Sequence, residues 1–255
     1  MHSVQFTAET SSDGVVAREF TVGEVTGVLW SSASGSDRAP LVLLGHGGGR
    51  DSKSPAMAGR AHRLVNGCGF TVAAIDAPGH GGRPRTEVDE REIAALRQAM
   101  AAGEPVAPIV VRYNLLLAER AVPEWQATLD ALQELPEIGA EGPVGYYGLN
   151  MGTAIGVPLT AAEPRISAAV FGLFWHDESL AEAARRITVP VEFVLQWDDE
   201  HIPRPSGLAL FDAFASKEKT LHANAGAHME VPRFEVDSAV QFFARHLGRT
   251  VMSPA

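Results

Sequence analysis

The chain lacks several features that would point to other protein classes. It has one cysteine, Cys68, so no disulfide can form within it. It has no run of eighteen apolar residues, which argues against a membrane-spanning helix. Its first residues show no basic region followed by an apolar run, so we expect no signal peptide. A formal charge of −10 leaves no basic surface for nucleic acid. These absences predict a cytoplasmic protein with a small-molecule substrate and no nucleic-acid or membrane partner, and they leave the oligomeric state open.

Patterns typical of metal and cofactor sites are also absent. The nine histidines include no His-x-x-x-His pair or similar cluster, which is the usual sequence signal for a zinc site. The Gly-Lys-Ser/Thr of a phosphate-binding loop is missing as well. Cys68 lies between Gly67 and Gly69 at a predicted helix end, and we interpret it as buried and inert. We therefore predict neither a metal nor an organic cofactor.

The chain does contain a regular alternation of apolar and helical segments. Residues 15–20 and 25–30 are rich in β-branched and aromatic side chains and predict an antiparallel hairpin, followed by a turn-rich loop at 31–40. Short apolar strands that alternate with helices indicate an α/β fold, with a mostly parallel sheet covered by helices on both faces. Buried strands are predicted at 41–44, 70–75, 144–147, 168–171 and 191–195, and helices at 56–65, 153–162, 208–214 and 233–247.

One segment interrupts this alternation. Three helical stretches, 90–101, 106–121 and 124–135, follow one another without a strand, and Pro123 predicts a break between the last two. We interpret the last stretch as the helix before the next strand. The first two, at about 87–121, then form a small helical cap inserted over the carboxyl edge of the sheet. On this interpretation residues 1–255 form a single domain.

The strongest chemical signal is Gly148-Leu149-Asn150-Met151-Gly152, between a predicted strand and a predicted helix. In the Gly-x-Ser-x-Gly nucleophile elbow, the central side chain projects above the sheet from a strained turn. Asn150 occupies the place of that serine. The motif and its context therefore predict an α/β-hydrolase fold whose nucleophile position holds asparagine.

A second motif, Gly45-His46-Gly47-Gly48-Gly49, follows the predicted strand at 41–44. Loops of this type supply a backbone N–H to an oxyanion hole, where it stabilises charge that develops in the transition state. We expect Gly48 to provide one such N–H and Met151 the other. Glycines after a strand can also bind phosphate, but the spacing typical of phosphate loops is absent.

An acid and a histidine follow the elbow in the chain order of this fold. Asp198 and Asp199 follow the predicted strand at 191–195 after two residues, and His228 lies on a later loop before the final helix. The order nucleophile, acid, histidine is that of α/β-hydrolases. Asp199 and His228 are therefore candidate catalytic residues together with Asn150, and Asp198 is the competing candidate for the acid.

With these motifs the chain resembles the dienelactone-hydrolase-like branch of the α/β-hydrolase superfamily, over nearly its whole length. The resemblance implies cleavage of a small ester, lactone or related acyl compound without a metal or organic cofactor. It favours Asp199 over Asp198, because Asp199 and Pro203 match the Asp-x-x-Val/Ile-Pro pattern of the family. The residues that carry it are Gly45 to Gly49, Asp76 to Gly81, Gly148 to Gly152, Asp199 to Pro203 and His228.

Asn150 leaves several interpretations open. An amide nitrogen is a poor nucleophile, so the chain can be a hydrolase inactivated naturally or deliberately, in which asparagine only holds the positive-φ turn. Alternatively, His228 oriented by Asp199 deprotonates a water directly, and Asn150 positions that water. Deamidation of Asn150 to aspartate would create the carboxylate nucleophile with which relatives open epoxides. A ligand-binding protein that has kept the fold but not the catalysis is the competing functional class.

Three further residues are candidates for the wall of a substrate pocket. His46 lies in the glycine loop, where fixing the loop by hydrogen bonds is the stronger expectation. Tyr113 lies in the predicted cap, and Trp175 follows the strand at 168–171. The substrate itself depends on how the segment at 87–121 folds over the sheet.

Overall fold

The computed structural model describes residues 3–35 and 38–251. Residues 1–2, which belong to the segment considered above for a signal peptide, lie outside the described residues. Residues 36–37 of the predicted loop at 31–40 also lie outside them. The strands are β1 (Gln5–Ser12), β2 (Val15–Val22), β3 (Val25–Ser32), β4 (Leu41–Gly45), β5 (Thr71–Ile75), β6 (Val144–Gly148), β7 (Ile166–Gly172), β8 (Val191–Gln196) and β9 (Lys219–Asn224). The helices are α1 (Pro55–Cys68), α2 (Glu87–Ala102), α3 (Ala107–Gln133), α4 (Met151–Ala162), α5 (Glu178–Ala184), α6 (Arg204–Ala213) and α7 (Phe234–His246).

All of these strands belong to one sheet with the order β1-β2-β3-β5-β4-β6-β7-β8-β9. The first three strands run antiparallel, β3 pairs antiparallel with β5, and every pair from β5 to β9 is parallel. Helices α1 and α7 bury apolar side chains on one face. Helices α3, α4, α5 and α6 do so on the other. This architecture confirms the predicted α/β-hydrolase fold class.

The predicted hairpin is present and extends two residues beyond the prediction on each strand. β2 and β3 pair from Val15 with Ser32 to Val22 with Val25, and Gly23 in the turn has a φ of 59°. Glycine is favoured there because a side chain is strained at positive φ. The hairpin continues the sheet beyond β5, on the side away from the elbow strand β6.

The predicted helix break at Pro123 is wrong. α3 runs without interruption from Ala107 to Gln133, with Pro123 inside it. A proline within a helix removes one hydrogen bond and costs about 3 kcal/mol. The buried side chains of Leu117, Trp125 and Leu129 lie on both sides of the proline and belong to one apolar core. Because this packing spans the proline, it keeps the two halves in one helix.

Helices α2 and α3 fill the segment between β5 and β6 in which the cap was predicted. The capping box of α2 is formed by Thr86 and Asp89, and the C-terminal half of α3 packs against α4 and the sheet. Within the described residues, no helix combines the length and apolar character that crossing a membrane requires.

Candidate active site

The turn between β6 and α4 has the strained backbone of a nucleophile elbow. Asn150 has φ 57° and ψ −123°, outside the regions that non-glycine residues ordinarily adopt. Its backbone N–H donates to the carbonyl of Gly172, at the end of β7, at 3.1 Å. The hydroxyl of Thr153 lies 2.9 Å from the carbonyl oxygen of Gly148 and 2.6 Å from that of Gly172, and it accepts the N–H of Gly172. These bonds tie the turn to the neighbouring strand.

The flanking glycines allow α4 to lie directly on the ends of the strands. A Cβ at Gly148 would lie 2.5 Å from the carbonyl oxygen of Gly152, and one at Gly152 would lie 2.7 Å from that of Gly45. Side chains cannot fit at these separations. The hydroxyl of Tyr146, on β6, donates to the carbonyl of Gly152 at 2.7 Å and fixes the first turn of α4 to the sheet.

The glycine loop after β4 runs beside the elbow. A Cβ at Gly47 would lie 3.9 Å from Cβ of Asn150, and one at Gly48 would meet no atom within 4 Å. Met151 is the first residue of α4, where backbone N–H groups have no partner within the helix. Gly48 and Met151 are thus placed on the two segments that flank Asn150, and their role as oxyanion donors remains a prediction.

His46 uses both of its ring nitrogens within the loops. Nε2 accepts the backbone N–H of Ala77 at 3.0 Å, and Nδ1 lies 2.9 Å from the carbonyl oxygen of Gly47. Burial lowers the pKa of His46, and the neutral ring matches these bonds, since Nε2 accepts while Nδ1–H donates. This geometry favours the loop-fixing role over contact with a substrate.

Asp199 and His228 form a half-buried pair. Oδ2 of Asp199 lies 2.7 Å from Nδ1 of His228, and the two side chains are 3% and 11% exposed. Oδ1 of Asp199 accepts the backbone N–H groups of His201 and Ile202, both at 2.8 Å. A carboxylate only accepts, so the proton of the ring lies on Nδ1 and the lone pair on Nε2. Asp198, the competing acid, is exposed and lies near Arg204 instead.

Three side chains that the sequence did not single out hold the loop of His228. Oε2 of Glu200 accepts the backbone N–H of His228 at 2.8 Å, and this hydrogen bond lowers the pKa of Glu200. The side chain of Gln196 donates to the carbonyl of Ala227 at 3.0 Å, and the carboxylate of Glu230 accepts the backbone N–H of Ala227 at 2.8 Å. Gln196 and Glu200 flank Asp199 closely in the chain, and this proximity to the acid was the only available signal.

An open cavity of about 610 Å³ lies between the N-terminal half of α3 and the segment after β7. Trp175 lies on its wall and Tyr113 does not, and contact of Trp175 with a substrate stays a prediction. Adjacent helical residues point in different directions, and the Tyr113 hydroxyl donates to Asp89 of α2 at 3.2 Å. The lining residues are Ala107, Pro108, Val111, Arg112, Leu115, Leu116, Glu119, Trp175, His176 and Asp177.

Asp89 is the centre of a buried polar cluster between α2 and α3. Its fully buried carboxylate pairs with Arg120 and accepts hydrogen bonds from the backbone N–H and hydroxyl of Thr86 and from Tyr113. Burial acts to raise the pKa of Asp89, but the bonds from Arg120 and Thr86 outweigh it and lower the pKa to about 2. Burial beside this carboxylate raises the pKa of Tyr113 to about 12. Tyr113 is therefore part of the contact between the two helices.

Within residues 3–35 and 38–251, one group of side chains is arranged so that it could hold a metal ion. It consists of Glu192 on β8, His222 on β9 and Glu235 on α7. These residues are far apart in the chain and follow no recognised ligand spacing. A metal-binding arrangement here could not be inferred from the sequence.

Comparison with known proteins decides the family. No protein-family model matches the chain, and no curated protein matches it. The polyethylene-glycol-bound structure of a cold-adapted esterase from an Arctic intertidal metagenomic library does match, with 33% sequence identity, a TM-score of 0.76, and coverage of 95% of this chain and 99% of that one. The chain belongs to the esterases of the α/β-hydrolase fold.

Two further solved structures are similar to this chain. A zinc-bound structure of a cold-adapted esterase from the same kind of library is 31% identical, with a TM-score of 0.72 and coverage of 95% and 99%. Acetyl xylan esterase 1 from Thermoanaerobacterium sp. JW/SL YS485 is 16% identical, with a TM-score of 0.65 and coverage of 96% and 88%, and this similarity concerns the fold alone. The dienelactone-hydrolase-like branch within the superfamily stays a prediction.

Proposed function

We propose that this chain is a cofactor-free hydrolase of small esters, lactones or related acyl compounds, in which His228 activates water and Asn150 forms no acyl intermediate. The observation that carries the proposal is the half-buried Asp199–His228 pair, with its 2.7 Å contact. A histidine whose Nδ1–H is fixed by a carboxylate presents Nε2 as a general base. The amide of Asn150 has its nitrogen lone pair delocalised into the carbonyl group and does not attack an ester.

In this proposal Asn150 binds and does not react. Its amide group has both donors and acceptors, and it extends from the elbow at the start of α4. It positions the attacking water or the substrate oxygen. Gly48 and Met151 donate their N–H groups to the oxygen that becomes negative, and the start of a helix favours that charge.

The expected rate is well below that of a serine hydrolase. Loss of the nucleophile in a triad enzyme lowers turnover by about 10⁶, while an oxyanion hole and substrate binding retain roughly 10³–10⁴ over the reaction in water. We therefore expect slow but measurable hydrolysis. α2 and the N-terminal half of α3 act as the cap, and the cavity beside Trp175 receives the apolar part of the substrate.

The test compares ester turnover of the chain with that of His228→Ala. We expect a substantial loss for His228→Ala, since the general base is gone. A matched control is His62→Ala, which removes a histidine from α1 and should leave turnover unchanged. Equal rates for the unaltered chain and His228→Ala contradict histidine-driven hydrolysis.

The backbone angle at Asn150 favours a second candidate function. At ψ −123°, Cβ of Asn150 and the backbone nitrogen of Met151 are nearly eclipsed about the Cα–C bond. This is the arrangement of a succinimide ring, which forms when that nitrogen displaces ammonia from the amide. Hydrolysis of the ring can give aspartate, a carboxylate nucleophile of the kind that opens epoxides.

The mostly apolar cavity favours the competing class, a small-ligand-binding protein without catalysis. A serine introduced at position 150 separates the two classes. A hydrolase site gains turnover from Asn150→Ser, whereas a binding site gains none. The charge of −10 supports the expected small-molecule partner and cytoplasmic location in either case.

A further inference from the structure

A cluster of ionisable side chains lies away from the elbow, between the sheet and α7. Glu192 of β8, His222 of β9 and Glu235 in the first turn of α7 place one potential ligand atom each within 4.8 Å of the others. The side chains of Glu192 and Glu235 are only 3% and 2% exposed, whereas that of His222 is 28% exposed. The carboxylates are thus buried, and the imidazole is partly exposed.

The two carboxylates of the cluster share one imidazole as their basic partner. Nδ1 of His222 lies 2.8 Å from Oε2 of Glu235, and its Nε2 lies 3.7 Å from Oε2 of Glu192. Asn224 donates to Glu235 and Ser238 donates to Glu192. In the part of the chain that the structure describes, no lysine or arginine forms an ion pair with either carboxylate.

One oxygen of the cluster has no partner. Oε1 of Glu192 is buried and accepts no hydrogen bond from the described residues. A buried polar atom without a partner costs free energy, and a buried carboxylate without a counter-ion costs more. The structure therefore contains an unused acceptor beside an imidazole and a second carboxylate.

We propose that Glu192, His222 and Glu235 bind a divalent transition-metal ion, with Zn²⁺ the best match. One imidazole nitrogen, two carboxylate oxygens and a water complete the four-coordinate shell that Zn²⁺ prefers. The imidazole favours Zn²⁺ over Ca²⁺ or Mg²⁺, which select oxygen ligands. Asn224 and Ser238 become donors that orient the two ligating carboxylates.

The place of the cluster in the chain gives the ion a structural role. His222 lies before the loop that carries His228, and Glu235 lies after it. An ion shared by these residues fastens both ends of the loop to β8. Metal binding should therefore stabilise the folded chain and the loop, whether or not the chain hydrolyses esters.

The active-site loops offer the main competing position for a metal. His201 and His228 have ring centroids 5.2 Å apart, and the acidic Asp199 and Glu200 are adjacent. Zinc added in solution can bind there instead. A variant that removes His201 weakens this alternative and leaves the proposed site intact, so it serves as the matched control.

The experiment is a titration of the metal-stripped full chain with ZnCl₂. Calorimetry measures binding, and the midpoint temperature of thermal unfolding measures stabilisation. We expect one bound ion per chain and a midpoint that rises with metal concentration. Glu192→Gln and His222→Ala should each weaken binding at least about tenfold, because metal sites lose 10–100-fold even when an outer partner is removed. His201→Ala should bind as tightly as the unaltered chain.

Circular dichroism of the metal-free variants shows whether each variant is folded, and so separates loss of binding from loss of folding. Glu192→Gln keeps the size of the side chain, so we expect this variant to fold. Cobalt provides an independent readout, since Co²⁺ bound to the imidazole gives visible absorption that His222→Ala abolishes. The proposal is overturned if the unaltered chain binds no zinc at millimolar concentration. It is equally overturned if His201→Ala loses the zinc while Glu192→Gln retains it.

Discussion

At the scale of single residues, the side chain at position 150 can be changed without removing the hydrogen bonds that hold the elbow. The elbow is held by the backbone of Asn150 and by Thr153, Gly172 and Tyr146. No side-chain hydrogen bond from Asn150 caps α4. A serine at this position should therefore occupy the same strained turn, with its hydroxyl beside the glycine loop.

We expect Asn150→Ser to raise the hydrolysis of short-chain aryl esters by on the order of 10²-fold or more, because the serine hydroxyl supplies a nucleophile. The rate of p-nitrophenyl acetate cleavage measures this. Asn150→Ala should show no gain, and Asn150→Ser combined with His228→Ala should lose most of it. No gain in Asn150→Ser would mean that the remaining groups do not work as a hydrolase.

The eclipsed arrangement at Asn150 predicts deamidation at the elbow. On long incubation, the peptide that contains Asn150 should become about one dalton heavier, as the amide is replaced by a carboxyl group. Peptide mass spectrometry of aged protein measures this directly. Asn114, inside α3 with its side chain bonded to the carbonyl of Val110, should stay unchanged and is the internal control. An unshifted elbow peptide ends the idea of a carboxylate nucleophile.

At the scale of elements, glycine lets α4 approach the sheet. A Cβ at Gly156 would lie 2.0 Å from the ring of Tyr146, which is fully buried beneath the helix. We expect Gly156→Ala to lower the free energy of unfolding by about 1–3 kcal/mol through overpacking. Urea denaturation measures it. Gly59→Ala is the control, because a Cβ there meets no atom within 4 Å and alanine favours the helix α1.

The contact of α2 with α3 depends on the buried ion pair of Asp89 and Arg120. We expect Asp89→Asn to destabilise the chain by about 2–4 kcal/mol, because Arg120 is left partly buried without its counter-ion. Tyr113→Phe removes a single hydrogen bond to the same carboxylate and should cost about 1 kcal/mol. Denaturation of both variants gives the comparison, and similar losses in the two would contradict the role of the charge.

At the scale of the whole molecule, the lowered pKa of Asp89 predicts sensitivity to acid. A carboxylate with a folded-state pKa of about 2 contributes stability above its ordinary value of 3.8 and loses it as the pH falls through 2. The lowered pKa values of Glu137 and Glu163 act in the same direction. Unfolding measured from pH 5 to 2 should show a steep loss of stability, shallower in Asp89→Asn. An equal slope in that variant would assign the acid sensitivity to other carboxylates.

The parts of the fold that could be predicted are those with local patterns. Buried strands such as β4 and β6 are continuous apolar runs, and the elbow and the glycine loop are motifs of adjacent residues. The sequence indicates β-structure over the first thirty residues but does not delimit β1, because all eight of its residues are exposed and give only a weak apolar pattern. β9 and the short α5 also gave weak patterns.

The parts that could not be predicted depend on packing between distant segments. Local propensity predicts a helix break at Pro123, but the apolar core that packs on both sides of the proline keeps α3 continuous. The direction of Tyr113 is set by Asp89 on another helix. The cluster of Glu192, His222 and Glu235 exists only once β8, β9 and α7 are assembled.

The bonds that hold the elbow have a consequence for protein engineering. Because they come from the backbone and from Thr153, position 150 can accept other side chains without loss of the turn. Cysteine, serine or aspartate could each be installed at this position. The chain is therefore a scaffold on which different covalent chemistries can be compared with every other residue of the site kept constant.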